Sequence, residues 1–399
     1  MKKIYIYSFD CEKRLLDAKR IEKYFKKNKY KIINNPKKAD INIIITCAIF
    51  NEVAEELLNK IKKFKRYRGE LIVAGCLPDI KKEELKNIFN GKIISTKNLE
   101  KFDYYFPKNT IKFKDIEDQN RFFINYDSSK IFDLFKKIFL KIGLINFLFK
   151  KLRKSVLKIL FGKKSLALEK SKDNIYYLRI SSGCPNNCSY CSIKRAIGPL
   201  KSKKIETIIN EFKKGIKKGY RIFRIVSDDA GSYGLDIKKT LPDLLNRLIK
   251  IQGEYKIIIG GLNPKWAVKY KDEIKKILES KKIIKIDIPI QSASPRILKL
   301  MNRYSDIKKI KDAFNDFKKI FSNLSIESHF IVGFPSETWE DFLLSLDFIK
   351  KNNIDSGFIL KYSNDRKKES AKINPKLSKK DKIKRIKYSK IFLKKLGYT

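Results

Sequence analysis

Residues 175–191 read Ile-Tyr-Tyr-Leu-Arg-Ile-Ser-Ser-Gly-Cys-Pro-Asn-Asn-Cys-Ser-Tyr-Cys. The run from Ile175 to Ile180 is mostly apolar and reads as a strand. Cys184, Cys188 and Cys191 follow it, three thiols within eight residues. Three thiolates so spaced can wrap one face of a cubane iron–sulfur cluster, which ordinarily takes four cysteines. One iron then keeps an open coordination position, where chemistry can occur. A structural zinc site wants a fourth ligand, and the only histidine, His329, lies far off in an apolar strand pattern. A disulfide suits an odd number of cysteines poorly, and nothing here reads as secreted. Zinc and plain structural cysteines remain the alternatives.

Three more cysteines form a second set. Cys11 follows a strand-like run, Ile4 to Phe9; Cys47 follows Ile41 to Thr46; Cys76 follows Leu71 to Gly75. Each sits just past the carboxyl end of an apolar run and before a helical pattern. In an open parallel α/β sheet those ends share one edge, so the three thiols are expected to converge there. The competing reading is that a buried cysteine is a small hydrophobe.

The motif Cys-x-x-x-Cys-x-x-Cys with Tyr190 before its last cysteine resembles the radical S-adenosylmethionine superfamily. The resemblance implies that the open iron is chelated by S-adenosylmethionine, whose reductive cleavage yields a 5′-deoxyadenosyl radical. With the second cysteine set, the chain resembles the methylthiotransferases of that superfamily. Thr46-Cys47-Ala48, Ala74-Gly75-Cys76-Leu77, Ser232-Tyr233-Gly234-Leu235-Asp236, Ile288-Pro289-Ile290-Gln291-Ser292, Leu300-Met301-Asn302-Arg303 and Ile331-Val332-Gly333-Phe334-Pro335-Ser336-Glu337-Thr338 follow in the family's order. Two departures stand out. The family usually has Gly before its first cysteine and Lys-x-Asn after it, where this chain reads Asp10-Cys11-Glu12-Lys13-Arg14. Gln291-Ser292-Ala293-Ser294 replaces the usual Gln-Ser-Gly-Ser. Residues Ser378 to Leu396 read as one basic amphipathic helix, where the family usually continues into an RNA-binding β-barrel module, the TRAM domain.

By this resemblance the metal ligands are Cys11, Cys47, Cys76, Cys184, Cys188 and Cys191, holding two 4Fe–4S clusters. Asp228 and Asp229 end the second barrel strand, where Asp229 can accept from the α-ammonium of S-adenosylmethionine. Gln291 and Ser292 are expected near its ribose, and Ile331 and Gly333 near its adenine. Tyr190 borders the cofactor, and Glu337 is expected to cap the following helix. The implied activity inserts sulfur and methyl at an unactivated C–H bond, with a flavodoxin or ferredoxin as electron donor. The expected substrate is a tRNA adenosine next to the anticodon, of the threonylcarbamoyl type, to which Asn263-Pro264 and Asp229 with Ser232-Tyr233-Gly234 point. A ribosomal protein or peptide side chain is the alternative substrate. A non-enzymatic iron–sulfur or RNA-binding protein is the alternative class.

Lys+Arg 92 against Asp+Glu 44 leaves a net charge of +48 in 399 residues. Such a charge favours polyanions, because basic groups release counterions from phosphate backbones. The lysines are spread along the chain, and the same richness in Lys, Ile and Asn fits codon bias. Thus charge favours RNA and the missing TRAM module argues against it. Residues 1–20 have no signal-peptide core, since Asp10 and Glu12 interrupt it. No run of eighteen apolar residues suggests a membrane span. A cytoplasmic monomer is the expectation.

Periodicity divides the chain in three. Residues 1–110 alternate strands and helices as a small parallel α/β domain. Residues 174–399 repeat strand and helix about six times, an incomplete (β/α)6 TIM-like barrel with its reactive groups at the carboxyl ends of the strands. Residues 111–173 join them and include, at 128–170, apolar residues at helical spacing opposite lysines. Such a helix packs on its own protein with its lysines solvated, docks on a membrane surface or partner, or contacts RNA.

Overall fold

The computed structural model describes residues 1–9, 11–122, 175–352, 354–363 and 368–398. The basic helical pattern of 128–170 lies outside them. The described residues group into two compact units: 1–122 with 191–199, and 175–190 with 200–398.

The first unit is a five-stranded, wholly parallel sheet. Its strands are β1 (Lys3–Ser8), β2 (Lys31–Ile32), β3 (Ile41–Thr46), β4 (Glu70–Gly75) and β5 (Lys92–Ser95), in the order β2-β1-β3-β4-β5. Every residue of β3 is buried. That is what a central parallel strand covered on both faces requires, and it explains the unbroken Ile-Asn-Ile-Ile-Ile-Thr run. Tyr24, Phe25, Phe102 and Phe113 fill one side of the sheet; Leu77, Ile61 and Phe64 fill the other. Helices Glu12–Lys27 and Asn51–Phe64 follow β1 and β3.

The second unit places β6 (Ile175–Arg179), β9 (Ile222–Val226), β10 (Lys256–Ile259), β11 (Ile283–Asp287), β12 (Ser325–Val332) and β13 (Ser356–Lys361) side by side, all parallel. The remaining two strands, β7 (Ser181–Ser182) and β8 (Lys201–Ser202), form a small antiparallel pair. The sheet keeps chain order from β6 to β13, and these two strands are its edges. This is the incomplete barrel the alternation predicts. Two short helices, Pro264–Lys269 and Lys271–Leu278, follow β10. Pro264 starts the first under an Asn263 cap, and Tyr270, which separates the two, stacks on Trp266 at 5.5 Å.

Sequence reading misassigns one cap. Thr338, not Glu337, caps helix Trp339–Lys351, through a capping box with Asp341. Glu337 turns inward, accepts the Gly333 N–H at 2.7 Å and pairs with Arg385 at 2.9 Å. Arg385 belongs to the basic helix Lys379–Lys395, which forms as expected under a Ser378 cap. No helix among the described residues is long and apolar enough to cross a membrane.

Two tests follow from these contacts. Gly75 has φ +106°, and a Cβ there would lie 2.3 Å from the Thr46 carbonyl oxygen. Gly75→Ala should therefore lower stability by about 1–3 kcal/mol, read as a reduced urea midpoint. Burial pushes the Glu337 carboxyl up from 4.5 to about 7 although Arg385 opposes the shift. The folded state then binds a proton that the unfolded state releases, so this contribution is full below pH 4.5 and is lost as pH rises to about 7. Glu337→Gln should flatten that part of the stability profile; an unchanged slope between pH 4.5 and 7 would exclude the assignment.

Candidate active site: two cysteine sets

In the first unit the cysteines converge as the parallel sheet demands. The Thr46 hydroxyl donates to the Ala74 carbonyl at 2.7 Å and accepts from the Leu77 N–H at 3.1 Å, while the Cys76 N–H donates to the Thr46 carbonyl at 3.0 Å. These bonds lock the ends of β3 and β4, and with them Cys47 and Cys76. Cys11 begins the helix that follows β1, its carbonyl accepting from Leu15 at 2.9 Å. The Cys47 thiol hydrogen-bonds Cys11, which lowers the Cys11 thiol to about 6, with Lys13 and Arg14 adding positive charge. The same bond, then burial and the neighbouring Cys11 and Cys76, push Cys47 well up. Arg14 donates from Nη1 to Cys76 Sγ at 3.7 Å. Val53, Leu57, Tyr7, Phe9 and Phe50 surround Cys47 with apolar surface. Three convergent thiols, with the Arg14 guanidinium on one sulfur and apolar side chains around Cys47, fit an iron–sulfur cluster.

In the second unit Cys184 and Cys188 lie in the loop after β6 and β7. Asn186 Nδ2 lies 3.1 Å from Cys184 Sγ and 2.7 Å from Asp229 Oδ2, and Lys265 donates to Asn186 Oδ1. Burial raises the Cys184 thiol to about 11, and the Asp229 charge pushes the same way. Arg303 donates from Nη1 to Cys188 Sγ at 3.8 Å and from Nη2 to the Pro289 carbonyl. The loop itself is pinned: Ser189 donates its N–H to Met301 and its hydroxyl to Leu300, and Asn302 donates to the Asn187 carbonyl at 3.0 Å. Cys191, three residues on, begins the 191–199 segment that groups with the first unit. Donors on sulfur again match thiolate ligands of a cluster.

The other expected residues are placed unevenly. Asp229 is buried and accepts from Asn186, from Trp266 Nε1 at 2.9 Å and from the Asn263 N–H at 3.2 Å. One of its roughly four lone-pair positions remains. Asp228 accepts from the Gly183 N–H at 2.8 Å. Gln291 sits just past β11 at φ +79°, a left-handed conformation costly for a residue with a side chain. Ser292 is 0% exposed and accepts from the Ser294 N–H at 3.2 Å. At Gly333 (φ +75°) a Cβ would meet Lys382 Cγ at 2.5 Å, so helix Lys379–Lys395 occupies the space a side chain would take. Tyr190 packs with Ile297, Leu298, Met301, Phe334 and Tyr362.

Sequence reading missed Arg14, Asn186, Trp266 and Arg303, and a charged group on β11 and β12. His329 Nε2 lies 3.0 Å from Asp287 and 3.6 Å from Glu327, and Lys285 pairs with Glu327. Burial opposes charge on His329, yet the bond to Asp287 and the Glu327 charge raise its basicity overall. Period-two alternation was the available signal: Glu327 and His329 alternate with buried Ile326, Ser328 and Phe330.

Comparison with known proteins agrees with this architecture. Residues 178–349 match the Radical SAM superfamily, and residues 3–95 match the Uncharacterized protein family UPF0004. Over 382 residues the chain is 31% identical to the "Probable threonylcarbamoyladenosine tRNA methylthiotransferase" of Methanocaldococcus jannaschii, covering 93% of this chain and 78% of that protein. It is 30% identical over 401 residues to the "Ribosomal protein uS12 methylthiotransferase RimO" of Clostridium botulinum, covering 98% and 81%. Among solved structures, the radical S-adenosylmethionine methyltransferase TsrM of Kitasatospora setae shares the fold, with TM-score 0.59, 9% identity, and coverage of 90% of this chain and 73% of that one. Fold and cysteine loop together define a radical S-adenosylmethionine enzyme. Within that class the chain belongs to the methylthiotransferase family, whose members use S-adenosylmethionine and two 4Fe–4S clusters.

The two cysteine sets should separate in function. Cys184→Ala, Cys188→Ala and Cys191→Ala should each abolish reductive cleavage of S-adenosylmethionine. Cys47→Ala should leave cleavage largely intact and end formation of methylthiolated product. Full modification by Cys47→Ala would return the first set to a packing role.

Proposed function

We propose that this enzyme methylthiolates an adenosine of tRNA bearing a threonylcarbamoyl group. The observation that carries the reading is the presence in one chain of two three-cysteine sets, each just past the carboxyl ends of parallel strands and each with N–H donors on sulfur. Relatives of this chain are named for tRNA or for a ribosomal protein. The net charge of +48 favours the polyanion.

Cys184, Cys188 and Cys191 would hold one cluster, and Cys11, Cys47 and Cys76 the other. When bound, the barrel cluster with S-adenosylmethionine supplies the one-electron chemistry that removes a substrate hydrogen, and the second supplies sulfur. The protein's share is orientation and exclusion of water. Asn186, Trp266 and Asn263 fix the Asp229 carboxylate, leaving one lone pair for the cofactor's ammonium. Gln291, held by its N–H to the His329 carbonyl at 2.8 Å, presents a polar group beside it. An external reductant of the flavodoxin or ferredoxin type delivers the electron.

Mass spectrometry of tRNA nucleosides from cells with and without the gene tests the substrate. The methylthio form of threonylcarbamoyl-adenosine should vanish on deletion. An unchanged nucleoside profile, with methylthiolation lost from a ribosomal protein or peptide, would overturn the tRNA reading.

A further inference from the structure

Each cysteine set has one guanidinium group laid against one of its sulfurs. Arg14 Nη1 lies 3.7 Å from Cys76 Sγ, and Arg303 Nη1 lies 3.8 Å from Cys188 Sγ. In both cases the second Nη is held elsewhere: by Asp17 at 2.9 Å for Arg14, and by the Pro289 carbonyl for Arg303. Arg14 and Asp17 keep only 9% and 3% of their side-chain surface exposed. The two arginines come from unrelated contexts. Arg14 lies in the first turn of helix Glu12–Lys27, and Arg303 follows helix Pro295–Leu300. Fixing a long, rotamer-rich side chain this way costs conformational entropy, which a compensating interaction must offset.

We propose that Arg14 and Arg303 are positioning residues that set the reduction potentials of the two clusters independently, each through an N–H on a coordinating sulfur. The inference rests on the reading that both cysteine sets hold clusters. Its physics is direct. One electron added to a cluster increases the negative charge on its sulfurs, so a fixed cation and N–H donor stabilise the reduced state more than the oxidised one and raise the potential. Lysine at the same place keeps the charge but not the planar fork that bonds sulfur and a second acceptor together.

The test uses the full chain, reconstituted anaerobically with iron and sulfide and titrated with dithionite under electron paramagnetic resonance. Cys47→Ala and Cys188→Ala backgrounds assign the signals to their sites. Arg14→Gln should shift the first-unit cluster to lower potential and leave the barrel cluster where it was. Arg303→Gln should do the reverse, and the lysine variants should shift less than the glutamines. Iron is counted in every sample. Where a glutamine variant fails to load, its lysine variant decides: an intermediate downward shift at its own site supports the proposal, and an unmoved midpoint overturns it. Midpoints unmoved in iron-replete glutamine variants, or both midpoints moving together, would also overturn it. Iron near four per chain in the unsubstituted protein, instead of near eight, would instead sink the two-cluster reading on which it stands.

Discussion

An all-parallel sheet delivers every strand's carboxyl end to the same edge, and that constraint governs both units of this protein. It makes neighbours of Cys11, Cys47 and Cys76, which stand 36 and 29 residues apart in the chain. The locking agent is small. One threonine hydroxyl, from Thr46, satisfies a carbonyl and an N–H of the adjacent strand's end where regular ladder bonding stops. The left-handed Gly75 permits the chain to turn at that point against the Thr46 backbone, with no side chain in the way. In the second unit the same edge gathers Asp228, Asp229, Asn263 and Gln291 from successive strands.

Sulfur and charge are then managed by burial. Buried thiols are expensive to ionise, and burial pushes Cys184 up, while the bond to Cys11 and then burial push Cys47 up. The first unit answers with a hydrogen bond between Cys47 and Cys11 and the nearby charges of Lys13 and Arg14, which ease ionisation of Cys11. The second surrounds its sulfurs with an amide and a guanidinium, and draws Asp229 into three hydrogen bonds. A carboxylate so engaged is a rigid reference point, which suits a role in orienting a cofactor better than one in moving protons. The Lys285, Asp287, Glu327 and His329 group shows a different solution, opposite charges paired within the β11–β12 region.

Legibility from sequence followed the physics of range. Strands β1, β3, β4 and β6 were readable because apolar periodicity is local, and the strand-end placement of Cys11, Cys47 and Cys76 because it follows from those strands. Glu337 was misread because a capping residue and its neighbour look alike until Thr338 and Asp341 are seen to bond. Arg14, Asn186 and Arg303 were invisible as sulfur partners because charge and amide groups are common on surfaces, and only tertiary contact reveals which have turned inward. The nearness of Lys382 to Gly333, 49 residues earlier, was likewise beyond local reading.

The first unit is discontinuous: residues 191–199 group with 1–122, and Thr96 donates its hydroxyl to the Ala196 carbonyl. Order of synthesis therefore matters. When the ribosome has made the five strands of the first sheet, one piece of that unit does not yet exist. At about 5–20 residues per second, residue 199 follows residue 122 by roughly 4–15 s. During that interval the chain carries the five strands and three cysteines of the first unit without the 191–199 segment. The same stretch of chain that completes it begins with Cys191, so the finishing of the first unit and the arrival of the last cysteine of the barrel motif are a single event in the life of the chain.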